Sequence, residues 1–352
     1  MIYSVSTMSN RIHTMVIFML IIPLGGLFLL DLWLGSVFIP LDRYIDVLTG
    51  RSDNTGWIYI VYYLRLPRAI TAVMAGAGLS VAGLMMQTLF RNPLAGPYVL
   101  GISSGASLGV AMLVMSSSAF GFLNMASDHL YGTGAQVVAS IVGSSIVFLL
   151  IVGVSSKVRD TVSLLIVGIM FSSLAIAIVS ILQYFSKPEL VQKFVIWTLG
   201  SLSSTSWKQL HLVVPLVCTG LIMGIFLIKP MNALLLGEDN ARATGVRTEQ
   251  VKYSILVSSS IITGALVAFT GPIAFIGLAV PHIVRLLFNT SDHRIILPGS
   301  VVLGSMLLLI CDILSQIPGH SMVLPINAVT ALFGAPVVIW IIISGKDRKI
   351  AF

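Results

Sequence analysis

From Tyr253 to Val284 the chain runs for 32 residues without an Asp, Glu, Lys or Arg. A bilayer explains such a stretch. A membrane-crossing helix takes about 20 mostly apolar residues, because backbone groups find no water in the hydrocarbon core and must bond within the segment. Blocks of this kind recur at 13–30, 69–90, 94–115, 135–156, 161–186, 209–228, 253–284, 295–311 and 322–344. The 253–284 block is too long for one span and Gly271-Pro272 interrupts it, so it reads as two helices joined by a tight turn. Ten spans result.

Composition agrees. Hydrophobic residues fill 57% of the 352 positions and charged ones 9%, against roughly 25% charged in soluble domains. That leaves too little polar surface for solution. Length alone would suit about two soluble domains, but apolar blocks occupy the whole chain. The expectation is one all-α integral membrane domain over 1–352, about ten transmembrane helices in one bundle. Arg11 before the first block also fits a signal peptide, but no small-residue cleavage site precedes Pro23 and many spans follow, so the block reads as the first span.

A net charge of +7 invites a nucleic-acid reading, but the basic residues are scattered through short loops and form no stripe. They report topology instead, since Lys and Arg accumulate in short cytoplasmic loops. With both termini cytoplasmic, thirteen lie inside: Arg11, Arg91, Lys157, Arg159, Lys229, Arg242, Arg247, Lys252, Arg285, Arg294, Lys346, Arg348 and Lys349. Seven lie outside: Arg43, Arg51, Arg65, Arg68, Lys187, Lys193 and Lys208. Two connections are long. The polar, Gly-containing stretch Asp31–Arg68 falls outside. Met231–Lys252 falls inside, and its segment Gly237–Val246, with an acidic start and a glycine stop, predicts a short surface helix. Pro188–Trp207, with Phe194, Trp197 and Trp207, reads as an interfacial helix with an aromatic anchor.

Little in the spans can carry chemistry. Cys218 and Cys311 sit in apolar blocks with no metal-ligand spacing, and read as packing thiols. Ionisable residues are few: Asp312, His211 and His282, with Asp31 at an edge, and the sequence shows no cluster of the kind that ion-coupled carriers use. A secondary, ion-coupled transporter is the alternative function. Gly101-Ile102-Ser103-Ser104-Gly105 matches a nucleophile elbow, but that motif needs a preceding strand, and here it lies in a helical block. Ala75–Gly83 lacks the third glycine of a dinucleotide fingerprint. Both read as small-residue helix packing. No phosphate-binding G-x-x-x-x-G-K-[ST] loop occurs, so if ATP drives this protein another chain binds it. Asn92-Pro93-Leu94-Ala95-Gly96-Pro97 marks a helix junction, either a plain turn or part of a water-lined path.

Five ordered motifs then stand out: Arg65-Leu66-Pro67-Arg68 with Gln87 and Arg91-Asn92-Pro93-Leu94-Ala95; Trp197–Leu202; Leu236–Val246; Ala268–Arg285; and Thr330–Pro336. Together they resemble the FecCD family, the permeases of type II ABC importers for iron-siderophores, haem and vitamin B12, over about 65–343. The resemblance implies ten helices per subunit, a permease homodimer, a cytoplasmic ABC ATPase dimer that holds the ATP and Mg, and an extracytoplasmic substrate-binding protein. It implies no enzyme activity, cofactor or metal site in this chain, which would lie in the bacterial inner membrane, surrounded by lipid, and bind no nucleic acid. It places binding-protein docking at Arg65 and Arg68, where guanidiniums would meet surface carboxylates. It places the translocation path or gate at Asn92, Leu94 and Thr161. ATPase coupling falls to Gly237, Glu238, Asp239, Ala241, Arg242 and Gly245 in the loop about 231–252. His282 and His293 belong to family patterns near inner helix ends and read as structural hydrogen-bonding groups, while the role of His320 is open. Two departures are visible: Val323-Leu324-Pro325-Ile326-Asn327 lacks the acid and glycine that many relatives carry, and Ser315–Met322 lacks a third docking arginine.

Overall fold

The computed structural model describes residues 2–98, 100–120, 133–155, 161–316 and 323–344. Lys157, Arg159, His320, Lys346, Arg348 and Lys349 lie outside them, as do the side chains of Arg11 and Thr161. Every regular element among the described residues is helical: α1 (Ile2–Trp33), α2 (Leu41–Leu48), α3 (Thr55–Tyr59), a π-helical stretch Ile60–Arg65, α4 (Leu66–Phe90), α5 (Ile102–Phe120), α6 (Thr133–Ser155), α7 (Thr161–Tyr184) and α8 (Pro188–Thr198). The second half carries α9 (Trp207–Phe226), α10 (Ile228–Leu235), α11 (Glu238–Ala243), α12 (Thr248–Thr270), α13 (Ile276–Phe288), α14 (His293–Ser315) and α15 (Ile326–Ser344).

Seven helical segments among the described residues are long and apolar enough to cross a membrane: α1, the continuous run Thr55–Phe90, α6, α7, α9, α12 and α14. Three shorter apolar helices, α5, α13 and α15, fall on the remaining expected blocks. The break in the 253–284 block is where the sequence puts it. Helix α12 stops at Thr270, Gly271 adopts φ +71°, and α13 begins at Ile276.

Two boundaries differ from expectation. Residues 94–98, 100 and 101 are not helical: Arg91 closes α4 in a left-handed conformation at φ 46°, Pro93 and Pro97 lack donors, and α5 begins only at Ile102. The stretch Asp31–Arg68 is not an open loop up to Arg68. Helix starts at Thr55, capped by the Asn54 side chain accepting from Trp57 N–H, and runs through the π-helical stretch into α4. Arg65 and Arg68 therefore sit inside a helix.

Helix α4 is the core of the bundle. In the most apolar window of Thr55–Phe90, 83% of residues are buried inside the protein, against 22% in that of Val162–Tyr184 at the periphery. Glycine allows this placement through backbone contact. A Cβ on Gly76 would lie 2.2 Å from the Gly304 carbonyl oxygen of α14, and one on Gly83 would lie 1.8 Å from that of Gly277 in α13. Between lipid-soluble helices, association depends on close packing, because apolar side chains gain little by leaving hydrocarbon. Helices α5 and α6 meet in the same way, with the Gly143 Cβ position 2.1 Å from the Gly105 carbonyl. The Gly101–Gly105 motif is thus a packing feature. Hydroxyls inside α4 fold back on their own helix, Thr71 onto Pro67 O and Ser80 onto Gly76 O.

Gly83→Leu is expected to lower the unfolding free energy of the purified permease by at least about 2 kcal/mol, because backbone on both sides cannot give way. Gly25→Leu, where nothing lies within 4 Å, should leave thermal unfolding in detergent unchanged.

Candidate functional site

Polar side chains on α4 are concentrated at its two ends. From Arg68 to Thr88 is a rise of about 30 Å, which matches the thickness of a bilayer's hydrocarbon core.

At the Arg68 end, α1, α4 and α14 converge on an ionic cluster. Arg68 donates from Nε and Nη2 to the Asp312 carboxylate at 2.6–3.0 Å, and also to Ser203 Oγ and Ser315 Oγ. Asp312 is 0% exposed and Arg68 is 9% exposed. Gln316 Nε2 lies 3.3 Å from Asp31 Oδ1 and 3.2 Å from Asp312 Oδ2, so one amide approaches both carboxylates. Arg65, also buried, donates to the backbone carbonyls of Leu32, Trp33 and Val37 where α1 ends. One expectation is corrected here. The ionisable residues do form a cluster, assembled from distant parts of the chain. Arg65 and Arg68, expected to meet a binding protein, are both buried and hydrogen-bonded within the bundle, on a helix that starts at Thr55.

The Arg91 end holds the other expected residues. After α4 the chain turns tightly: Asn92 N–H donates to Gln87 O, Asn92 Oδ1 accepts from Leu94 N–H, and Ala95 N–H returns to Asn92 O. Leu94 is exposed at 44% and Asn92 is half-buried. Thr161 is the first residue of α7. Gln87 steadies the turn from behind, donating to Leu278 O and accepting from Arg285 Nη1 at 2.6 Å.

The segment expected to couple to an ATPase lies at this same end. Helix α11 forms where an acidic first turn follows a glycine: Gly237 stands at φ +115° before it and Gly245 at φ +84° after it. Ala241 is buried beneath, while Asp239, Asn240 and Arg242 face out. Arg242 donates to Glu238 Oε1 at 2.6 Å and to Thr248 Oγ1 at 2.9 Å, tying α11 to the first residue of α12. Arg91 Nη2 donates to Leu234 O at 2.8 Å, joining the turn after α4 to the end of α10. Below these groups lies a cavity of about 90 Å³ lined by Thr88, Arg91, Leu234, Glu238, Thr248 and Lys252.

Three polar contacts were not foreseen. His293 Nδ1 and its backbone N–H both meet Asn232 Oδ1, and its Nε2 meets Thr88 Oγ1. With Asn232 Oδ1 accepting, the ring proton sits on Nδ1 and Nε2 accepts from Thr88, which makes this a structural histidine joining α4, α10 and α14. Tyr98 Oη donates to Ile273 O and accepts from Ile273 N–H, so the non-helical segment after α4 is pinned to the α12–α13 break. Asn327, in the segment that departs from its relatives, accepts from Ala274 N–H and donates its own N–H to Leu199 O. The family pattern marks His293 as a structural hydrogen-bonding group, but its partners, and the contacts of Tyr98 and Asn327, have no signal beyond a polar residue in apolar surroundings.

Comparison with known proteins settles the family. The FecCD transport family profile matches residues 19–344.

The chain belongs to the FecCD transport family.

This FecCD chain is 35% identical over 323 residues to the hemin transport system permease protein HmuU of Yersinia pestis, covering 91% of this chain and 94% of that one. It is 33% identical over 321 residues to the vitamin B12 import system permease protein BtuC of Vibrio parahaemolyticus, covering 91% of each. Its fold matches a solved inward-facing conformation of a metal-chelate type ABC transporter with a TM-score of 0.81 at 26% identity, over 94% of this chain and 99% of that one. The FecCD chain is a membrane-spanning permease component of an ABC importer, a transport subunit.

Asp312→Asn strands the Arg68 charge in the bundle and should cost about 3–5 kcal/mol of unfolding free energy. The double variant Arg68→Met/Asp312→Leu, which removes both charges, should recover most of that loss in denaturant unfolding of the purified protein.

Proposed function

We propose that this permease carries a metal chelate of the haem, cobalamin or ferric-siderophore class across the bacterial inner membrane, between two copies of itself, when an ATPase pair engages it from the cytoplasm. The observation that carries the reading is α11: a six-residue charged helix held by its own ion pair, bracketed by positive-φ glycines and presented at the end of an otherwise apolar bundle. A rigid exposed knob of this kind transmits a push, which a mobile loop would absorb. The Arg91 end is then cytoplasmic, as the positive-inside expectation places it, and both termini lie there.

Two features support the rest. Helix α4 fills the middle of the chain with packed backbone, so a bulky solute needs a path at the periphery, which a second copy would complete. The Asn92–Leu94 turn and the start of α7 lie at the cytoplasmic end of such a path and would form its gate, while α11 supplies the coupling contacts Glu238, Asp239 and Arg242. ATP and Mg belong to the partner ATPase. Docking of a binding protein on Arg65 and Arg68 would require both guanidiniums to leave their present partners. The exposed cations at that end, Arg51, Lys187 and Lys208, reach a carboxylate surface without that cost.

The resemblance of this chain to both a hemin and a vitamin B12 permease supports a cargo of chelate size without choosing one. Identifying the ligand that co-purifies with the partner binding protein would choose. In proteoliposomes loaded with ATP, uptake is expected to require the ATPase and to survive collapse of proton and sodium gradients. Uptake that continues without ATP but stops with the gradient would establish the ion-coupled alternative.

A further inference from the structure

We infer that Arg91 is a positioning residue that makes the coupling helix and the gate turn move as one body. This inference rests on the reading of α11 as the ATPase contact and of Asn92–Leu94 as the gate. Neither segment alone shows how displacement of one would reach the other, since no helix runs through both. Arg91 joins them directly, beside the Thr88–His293–Asn232 contact that ties α4 to the middle of α10.

Its backbone belongs to the gate side. It is the left-handed cap of α4, at φ 46° and ψ 39°, donating its N–H to Thr88 O, and the next residue begins the turn with the Asn92 Oδ1 to Leu94 N–H bond. A non-glycine residue in that conformation is sterically costly, and it persists where surrounding contacts over-determine it. Its side chain belongs to the coupling side. Nη2 donates to Leu234 O at 2.8 Å, a carbonyl in the last turn of α10 whose other bond is the Gly237 N–H at 3.1 Å. The guanidinium also lies against Gly237, where a Cβ would stand 3.3 Å from Nη2. Gly237 is the hinge residue of α11, and its φ of +115° sets the angle at which that helix leaves α10.

The chain of contacts is therefore short: Asp239 and Arg242 on the exposed face of α11, Gly237 and Leu234 behind them, the Arg91 fork, then Asn92 and Leu94. A planar guanidinium resists rotation out of this plane better than an ammonium on a flexible stem. A push on α11 is carried to the Asn92–Leu94 turn by the charge-assisted Arg91–Leu234 hydrogen bond, with the guanidinium standing close beside Gly237. Gln87 and Arg285 hold the opposite side of the turn, so the turn tilts as a unit instead of unravelling.

The test uses the whole importer, permease with its ATPase and binding protein, in proteoliposomes. Arg91→Ala is expected to lower the number of cargo molecules moved per ATP hydrolysed by about tenfold, the scale of one lost charge-assisted hydrogen bond, while ATPase affinity for the permease stays within about twofold. Spin labels at Leu94 and Asn240, both exposed, should show one narrow distance distribution in the wild type with and without nucleotide, and a broad one in Arg91→Ala. An unchanged transport-to-hydrolysis ratio with unchanged label distances would overturn the inference. So would a fall in transport matched by an equal fall in ATPase binding, which would make Arg91 an assembly residue. If Arg91→Ala does not fold, Arg91→Lys decides: it keeps a donor but puts it on a flexible stem in place of the planar guanidinium, so its ratio should fall about threefold, and a wild-type ratio would overturn the proposal. Failure of the underlying reading looks different, because wild-type permease would then neither bind the ATPase nor need ATP.

Discussion

Backbone-to-backbone contact along α4 is the constraint on which the rest of this structure depends. In hydrocarbon there is no water to expel from between helices, so a helix stays at the centre of a bundle only by fitting its neighbours closely. Gly76 against Gly304 and Gly83 against Gly277 provide that fit on two faces. Once α4 is fixed, its ends are fixed too, and they hold the groups that matter: the ionic cluster around Arg68 and, about 30 Å away along the axis, the turn at Arg91. Central packing thus sets the separation between a locked end and a working end.

The two ends differ in chemical character in a way that suits this division. At Arg68 every charge is met inside the bundle, by Asp312, two serine hydroxyls and a bridging glutamine, and burial raises the cost of breaking any one contact. At Arg91 the partners are carbonyls, an exposed ion pair on α11 and a small polar cavity. Contacts of that kind exchange with water at modest cost. The Arg91 unit can therefore shift as a body at its exposed margin, at the end where a partner would push.

Much of this was legible in the sequence, and what was not has physical reasons. The spans were legible because an uncharged run of membrane length suits lipid and little else, and Gly271-Pro272 marked its break because proline removes a donor where glycine permits positive φ. Helix α11 was legible from the acidic turn between two glycines. The inward turn of Arg65 and Arg68 was hidden, because Trp57 to Leu64 continues a helix that begins among polar residues, and an arginine after an apolar run looks like the helix boundary when it is not. Residues 94–98 mislead in the opposite direction, their apolar character masking the effect of Pro93 and Pro97. Pairings such as Arg68 with Asp312 or His293 with Asn232 join residues far apart in sequence, and a single sequence holds no record of which polar residues meet.

The distance along the chain between Arg68 and Asp312 also bears on how the protein is made. Asp312 is synthesised 244 residues after Arg68, which at about 5–20 residues per second takes on the order of 10–50 s. Throughout that interval α4 exists in the membrane without its counter-ion. Arg65 finds the α1 carbonyls already made, but Arg68 lacks Asp312, and Gly76 and Gly83 lack the α14 and α13 backbones they pack against. The Arg68–Asp312 pair therefore cannot close until α14 has been made, and the locked end of the bundle is completed late in synthesis.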